Sequence, residues 1–520
     1  MRTPKNKITS RLSIKIALAI SICCASQLYS IHSAVGQHQT PTFSPLEPAD
    51  SIPYRIKLQE YDLGSAQLPG IHSYAAGSYG GKWVLIAGRT NGVHDLDQSG
   101  EGSFPPESQN RDVWVIDPVS KQSWHRSLGD PFAGVTDPVS GLSPNQIASL
   151  TPTNNQFEQV GNTLYMTGGY GLNPASEFTT FDKLTAINLP SMVDWVVNGT
   201  GHAVDSIRQI DHAIASVTGG AMHEMNGRMH IVFGQDFEGP YSPRSEGTYT
   251  RQIRSFDIVD DGVNLAIANA TSTAIDSAYR RRDLNVIPVL KPDGLGGTEE
   301  ELVALSGVFT TGFGVWTVPV EIDASGTPTM ADPNAADTFK QGFNGYHSAK
   351  MGLYSETTGE MNEFLFGGIS LQYLDPLTGL VETDPDMPFV NDITAIAIDA
   401  NGEYSQHHMG YFPEIVDGTG KQWRFGANAE FFPAEGINTF ENGVLDLDAL
   451  SGTTSLGYVF GGLMTNGPHT RGFPDVTSTA SFRIFEVVYE SVPEPSSYLL
   501  IGLCGVCICW SKRRQASRGA

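Results

Sequence analysis

The hydrophobic pattern along this chain changes period, and the change repeats. Short apolar runs closed by glycine occur six times: WVLIAG at 83–88, LYMTGG at 164–169, MHIVFG at 229–234, LVALSG at 302–307, FLFGG at 364–368 and YVFGG at 458–462. Runs of this length ending at a glycine predict strands buried on both faces, with a backbone turn where a side chain would clash. After each run come a loop and a segment alternating apolar and polar positions, which predicts a second strand. These segments are VWVIDPVS, LTAINLPS, IRSFDIVDDG, WTVPVEIDASG, ITAIAIDANG and SFRIFEVV, the last ending at Val488. Five end in a turn opened by Asp117, Asn188, Asp260, Asp323 or Asp399, residues whose side chains bond their own turn backbone. One alternating strand, Tyr54–Tyr61, has no partner nearby; Tyr54, Ile56 and Leu58 face one way, Arg55 and Lys57 the other.

The repeated unit resembles the kelch repeat. The resemblance rests on the Gly-Gly corners, on Trp83, Trp114 and Trp124 in the first unit, and on the pairs His72-Ser73 and His347-Ser348 before inner strands. Some units have one glycine in place of two, and several carry insertions beyond the usual kelch length. The later half, from YRRRDLNV at Tyr279 to PFVNDITAI, is also similar to exported bacterial kelch-like proteins of unassigned activity. The resemblance implies an all-β fold, a six-bladed kelch-like β-propeller over residues 52–491. The sixth unit ends at Ser491 without room for an outer strand. The orphan Tyr54–Tyr61 is therefore expected to pair with 481–488, closing the ring and removing exposed edges.

The two ends differ from this body. Residues 1–36 carry Arg2, Lys5, Lys7, Arg11 and Lys15 with no acid, then an apolar run at 16–25, the layout of a signal peptide. A Thr- and Pro-containing linker at 37–51 follows. At the other end, Pro493-Glu494-Pro495 precedes an apolar run at 498–510 and the basic Lys512, Arg513 and Arg514. The run is shorter than the ~20 residues that span a bilayer comfortably, and its basic flank places the body outside. These parts in this order resemble the PEP-CTERM sorting signal of Gram-negative bacteria that make extracellular polysaccharide. That resemblance implies a short C-terminal hydrophobic helix within a membrane segment at 492–514, a basic tail at 515–520, and processing by an exosortase-type protease. Pro493, Glu494, Pro495, Arg513 and Arg514 carry the signal.

Nine of the chain's 32 basic residues lie in the two ends against one of its 56 acids, so the body is more acidic than the net −24 of the whole. Such a surface repels nucleic acid and anionic lipid. All five cysteines, Cys23, Cys24, Cys504, Cys507 and Cys509, also lie in the ends. The body thus has no disulfide, thiol nucleophile or Cys-ligated metal, and packing alone holds it. A galactose-oxidase-like copper site, known on kelch architecture, is excluded because it needs a Cys–Tyr cross-link.

Three groups are candidates for chemistry. Asp95, Asp97 and Ser99, before Gly100, place oxygen donors at alternate positions like the start of a calcium loop, but position twelve is Pro106 instead of a bidentate Glu. The choice is between a Ca²⁺ site and a solvated acidic loop. Arg280, Arg281 and Arg282, followed by Asp283, form a basic run in an acidic body. They offer guanidinium forks to a carboxylate or sulfate ligand, or pair with acids of neighbouring blades. His72, His223 and His347 sit just before apolar inner strands at equivalent places in three repeats and read as a hydrogen bond repeated within each blade. No P-loop, zinc or nucleophile motif is present. The expected function is an exported envelope or extracellular-matrix propeller that binds polysaccharide or a surface protein without catalysis. The alternative is a carbohydrate-active enzyme, an epimerase or lyase acting on an acidic sugar.

Overall fold

Each glycine corner of the sequence turns the backbone out of one sheet and into a loop. The computed structural model describes residues 43–48, 51–94, 103–242, 246–311, 314–470 and 475–492. The corner requires two successive residues in the left-handed region. Where the first is not glycine, Ala87, Phe233 and Ser306 adopt φ of 64°, 56° and 42°. The second is glycine in all six units because its Cβ position is occupied. At Gly88 a Cβ would lie 2.6 Å from the His72 carbonyl oxygen, and at Gly462 2.6 Å from that of Ala427. The units with a single glycine therefore make the same turn under some strain.

Five sheets are antiparallel four-stranded meanders. Blade 1 comprises Ala75–Tyr79, Lys82–Ile86, Asp112–Asp117 and Gln122–Ser127; blade 2 comprises Gln156–Val160, Thr163–Thr167, Lys183–Asn188 and Ile207–Asp211. Blade 3 spans residues 221–272 and blade 4 residues 285–330. Blade 5 is built from Ala429–Pro433, Thr453–Gly461 and Ile484–Ser491, with Tyr54–Tyr61 as its outer strand. The architecture is a β-propeller arrangement with five four-stranded blades, which corrects the expected count of six. The unit containing Phe364–Gly368 lies in a six-stranded sheet. There Leu46–Glu47 adds in parallel to Tyr404–Tyr411 at one edge, and Leu445–Asp446 adds in parallel to Ala349–Ser355 at the other. Two-residue additions carry no periodicity, so no sequence pattern announces them.

The orphan strand pairs over eight positions, from Tyr54 with Ser491 to Tyr61 with Ile484. Its partner lies three residues further along than the expected 481–488. The third strand of blade 2 is also shorter than its pattern implied. It stops at Asn188, whose side chain accepts from the Ser191 N–H and starts a helix, Leu189–Asn198, ended by left-handed Gly199. The turn aspartates act as expected: Asp399 Oδ1 accepts the N–H groups of Asn401 (2.8 Å) and Glu403 (2.9 Å), and Asp323 does the same for Ser325 and Thr327. The expected C-terminal hydrophobic helix falls outside the described residues, among which no helix is long and apolar enough to cross a membrane.

The core is a set of apolar layers between neighbouring sheets. Trp83 of blade 1 stacks on Phe432 of blade 5 at 4.5 Å. Val232 and Phe233 of blade 3 meet Val286 and Leu302 of blade 4, and Val289 of blade 4 meets Leu365 and Ile396 of the six-stranded sheet. In that last layer one residue breaks the rule that buried charges are paired. Glu363 is 0% exposed, and neither carboxylate oxygen has a hydrogen-bond partner among the described residues. Burial raises its pKa well above the usual carboxylate range, against the pull of Lys291, with Glu321 adding to the rise. A carboxyl whose folded pKa is raised is stabilising only while protonated, so stability falls as pH climbs from about 4.5 toward the folded value. Glu363→Gln is therefore expected to raise Tm at neutral pH and to leave it unchanged near pH 4. Melting curves across that range check this; curves offset equally at every pH would contradict it.

Candidate functional site

One residue from each repeat unit, just ahead of its innermost strand, takes a left-handed backbone. These are Ser73 (φ 53°), Asn154 (55°), Gly219 (66°), Asp283 (48°), His347 (50°) and Asn428 (57°). Glycine, asparagine and aspartate tolerate this conformation best. Their backbones bond to one another around the axis. The N–H groups of Ser73, Asn154, Gly219, Asp283 and Asn428 donate to the carbonyls of Asn428 (3.2 Å), Ser73 (3.3 Å), Asn154 (3.2 Å), Gly219 (2.7 Å) and His347 (2.6 Å). Side chains reinforce the ring: Asn154 Nδ2 donates to Asp283 Oδ1 at 3.2 Å, and Asn428 Nδ2 donates to Ser73 Oγ. The ring forms a polar floor at the mouth of the channel, and the loops beyond the glycine corners rise around it.

The arginine run divides over this site. Arg281 is 0% exposed, and its guanidinium donates to the carbonyls of Ser306 (3.2 Å) and Val318 (2.9 Å) beneath Trp316. A soluble ligand does not reach it. Arg280 pairs with Glu246 at 2.7 Å and stacks over Tyr249. Arg282 alone faces the mouth. Its Nε lies 3.5 Å from Asp283 Oδ2, and the guanidinium sits over Tyr249 and Phe309. Burial works against its charge, but Asp283, Tyr249 and Tyr241 outweigh burial and raise its pKa, so it stays a cation.

Around Arg282 and Asp283 the mouth brings together groups from several units. His347 Nδ1 is 3.8 Å from Asp283 Oδ1. Burial lowers the His347 pKa, and Asp283 only partly restores it, so the ring is neutral at pH 7. His72 is held at about 3 by burial and by Arg89 beside it, while its Nδ1 meets Ser73 Oγ at 3.0 Å. His94 packs against Tyr241 (ring centroids 4.8 Å apart) and Phe104, which in turn lies under Arg89. Tyr346 is kept protonated by burial and by Asp283. The result is a cup with two guanidinium cations, Arg282 and Arg89, with neutral imidazoles and phenolic hydroxyls, walled by aromatic rings.

The three histidines are not equivalent, which corrects the reading of a bond repeated within each blade. His347 occupies the ring position, His72 precedes it, and His223 lies inside the first strand of blade 3. There His223 links three blades, with Nδ1 3.1 Å from Glu158 of blade 2 and Nε2 3.2 Å from the Val286 carbonyl of blade 4. Asp95, Asp97 and Ser99 lie outside the described residues, as do Pro493, Glu494, Pro495, Arg513 and Arg514. Among the described residues no three acids, histidines or cysteines are grouped to hold a metal. Asn154, Tyr241, Tyr346 and Asn428 have no motif in the sequence. For Asn154 and Asn428 the one signal is a residue type tolerant of left-handed backbone one or two positions before an inner strand; Tyr241 and Tyr346 have none. A separate cleft of about 440 Å³, lined by Tyr79, Trp83, Glu435 and Tyr458, opens between blades 1 and 5 away from the mouth.

Residues 491–514 match the family model of the PEP-CTERM protein-sorting motif. The chain carries an export-sorting signal. That signal marks a protein exported to the cell envelope or surface and handled by exosortase-type sorting machinery. No curated protein matches the chain. Among solved structures, one titled "Structure of YjhT" aligns at 10% identity with 82% of this chain and 100% of its own, with a TM-score of 0.42.

Proposed function

We propose that the protein is a kelch-like propeller of a Gram-negative envelope or extracellular matrix that binds polysaccharide or a surface protein at the channel mouth, without catalysis. The observation that carries this reading is a set of buried polar atoms at the mouth. Gln109 Oε1 has no hydrogen-bond partner among the described residues, and Arg282 Nε meets Asp283 Oδ2 only at a loose 3.5 Å. Folded proteins leave few such atoms unpaired, so hydroxyl or carboxylate groups of a ligand, or water, meet them. Aromatic walls beside them suit the apolar faces of sugar rings. A glycan array with residues 37–492, with and without Ca²⁺, tests this. Arg282→Ala is expected to weaken binding at least tenfold, about 1.4 kcal/mol, with the folded body retained. Binding unaffected by that substitution would remove the mouth from the proposal. Melting unchanged by EDTA would remove a structural Ca²⁺ at Asp95, Asp97 and Ser99.

One observation favours the enzymatic alternative. Asp283 stands between a cation at 3.5 Å and a neutral imidazole at 3.8 Å, an arrangement suited to moving a proton beside a carboxylate held by Arg282. An epimerase or lyase acting on an acidic sugar would incorporate deuterium next to the sugar carboxylate in D₂O, and Asp283→Asn would abolish it. Uronic acids recovered without exchange or elimination leave the binding reading alone.

A further inference from the structure

The sorting motif leaves the propeller from a defined end. The last strand of blade 5 starts at the mouth, where Ile484 pairs with Phe460 beside the Gly461–Gly462 corner. It ends at the opposite side, where Glu490 pairs with Thr453. There the Ser491 N–H donates to the Gly452 carbonyl at 2.8 Å, and the Val492 N–H donates to the Pro53 carbonyl at 3.2 Å. The match to the sorting motif begins at residue 491. The hydrogen-bonded strand therefore runs into Pro493-Glu494-Pro495 with no spacer.

The chain beyond it is short. Residues 492–497 precede the apolar run at 498–510 and, fully extended, reach at most about 20 Å. Neighbouring turns crowd the same exit. Tyr54, paired with Ser491, feels the charge of Glu360, and Ala400 of the adjoining hairpin would lie 3.1 Å from a Cβ on Gly359. Asp399 and Glu403 are exposed at this side, and Lys57 pairs with Glu490 at 2.5 Å.

We propose that this far side, around Pro53, Gly452 and the 399–403 hairpin, is the surface against which the sorting protease works, so that the channel mouth is held away from the membrane until processing. The proposal rests on the sorting-motif match and holds whatever binds at the mouth. Two hairpin tips of the same repeat unit make the test. A folded module of about 100 residues is inserted in the full chain either between Asn401 and Gly402 on the far side, or between Thr378 and Gly379 on the mouth side, where the neighbouring Leu377 is 93% exposed. Each variant is expressed with the sorting protease of the same host, and the processed fraction is read by mass. The far-side insertion is expected to cut processing at least tenfold, and the mouth-side insertion to leave it unchanged. A flexible spacer of about 20 residues before Pro493 is expected to restore processing of the far-side variant. Equal processing of the two insertions overturns the proposal. A block that the spacer does not relieve also overturns it, since that result reports a folding defect instead of a blocked approach.

Discussion

Deleting residues 52–62 is expected to abolish the cooperative unfolding transition of the whole body. Tyr54, Ile56 and Leu58 are buried in the layer that also holds Phe364, Phe366, Phe485 and Val487. Tyr54 further packs against Tyr489 (5.3 Å) and Phe364 (6.3 Å). Burial of each such side chain stabilises by about 1.5–3 kcal/mol, so the three together approach the ~5–15 kcal/mol that holds a typical domain. Losing the strand also uncovers the full edge of Ile484–Ser491, a template for pairing with other chains. Scanning calorimetry and near-ultraviolet circular dichroism check this, and a synthetic peptide of residues 52–62 added in trans should recover the transition. A deletion variant that melts at the parental temperature would refute ring closure as the source of stability.

Asp260→Ala is expected to cost about 1.5–3 kcal/mol, the range for hydrogen bonds to a charged group. Asp260 closes blade 3 onto blade 2. It accepts from Arg208 Nε at 2.8 Å and Nη2 at 2.6 Å, and from the Tyr165 hydroxyl at 3.1 Å. Both residues are half-buried, so removal of the carboxylate leaves the Arg208 guanidinium without its main partner but within reach of water. Replacing both partners, as in Arg208→Leu with Asp260→Leu, is expected to cost much less than the single change. The pH dependence has the opposite sign to that of Glu363. Burial alone would raise the Asp260 pKa, but Arg208, the Gly262 N–H and Tyr165 together lower it. Its stabilisation is therefore present above the unfolded carboxylate value of about 4 and is lost as pH falls through the lower folded value. Denaturant titrations of wild type, single and double variants settle the comparison; a single variant as stable as the wild type would show the pair to be dispensable.

The histidines and arginines show how far residue type alone reaches. Arg280, Arg281 and Arg282 are adjacent and chemically identical in sequence. Folding sends one to an acid of the neighbouring loop, one into the core and one to the channel mouth. Side-chain direction decides this, and three adjacent arginines carry no periodic pattern that marks which way each points. His72 and His347 stand before serines in the same way, yet the register of the two units differs by one residue, so only His347 enters the hydrogen-bonded ring. The turn aspartates were legible because their bonds run to N–H groups two to four residues away.

Local rules thus determined the strands with their glycine corners, the Asp turns, the cysteine-free acidic body, the C-terminal sorting signal and a closing strand placed within three residues of its partner. Each of these depends on the covalent neighbourhood: period-two burial, φ freedom at glycine, or a short side-chain-to-backbone bond. Only the tertiary structure decided the number of four-stranded blades, the two-residue parallel additions that make one sheet six-stranded, and the polar ring at the mouth. That ring takes one residue from each unit, with dozens of residues of chain between them, and accepts Ser, Asn, Gly, Asp and His alike. What selects them is a shared backbone conformation and a shared position around an axis, and the axis exists only once the sheets have closed around it.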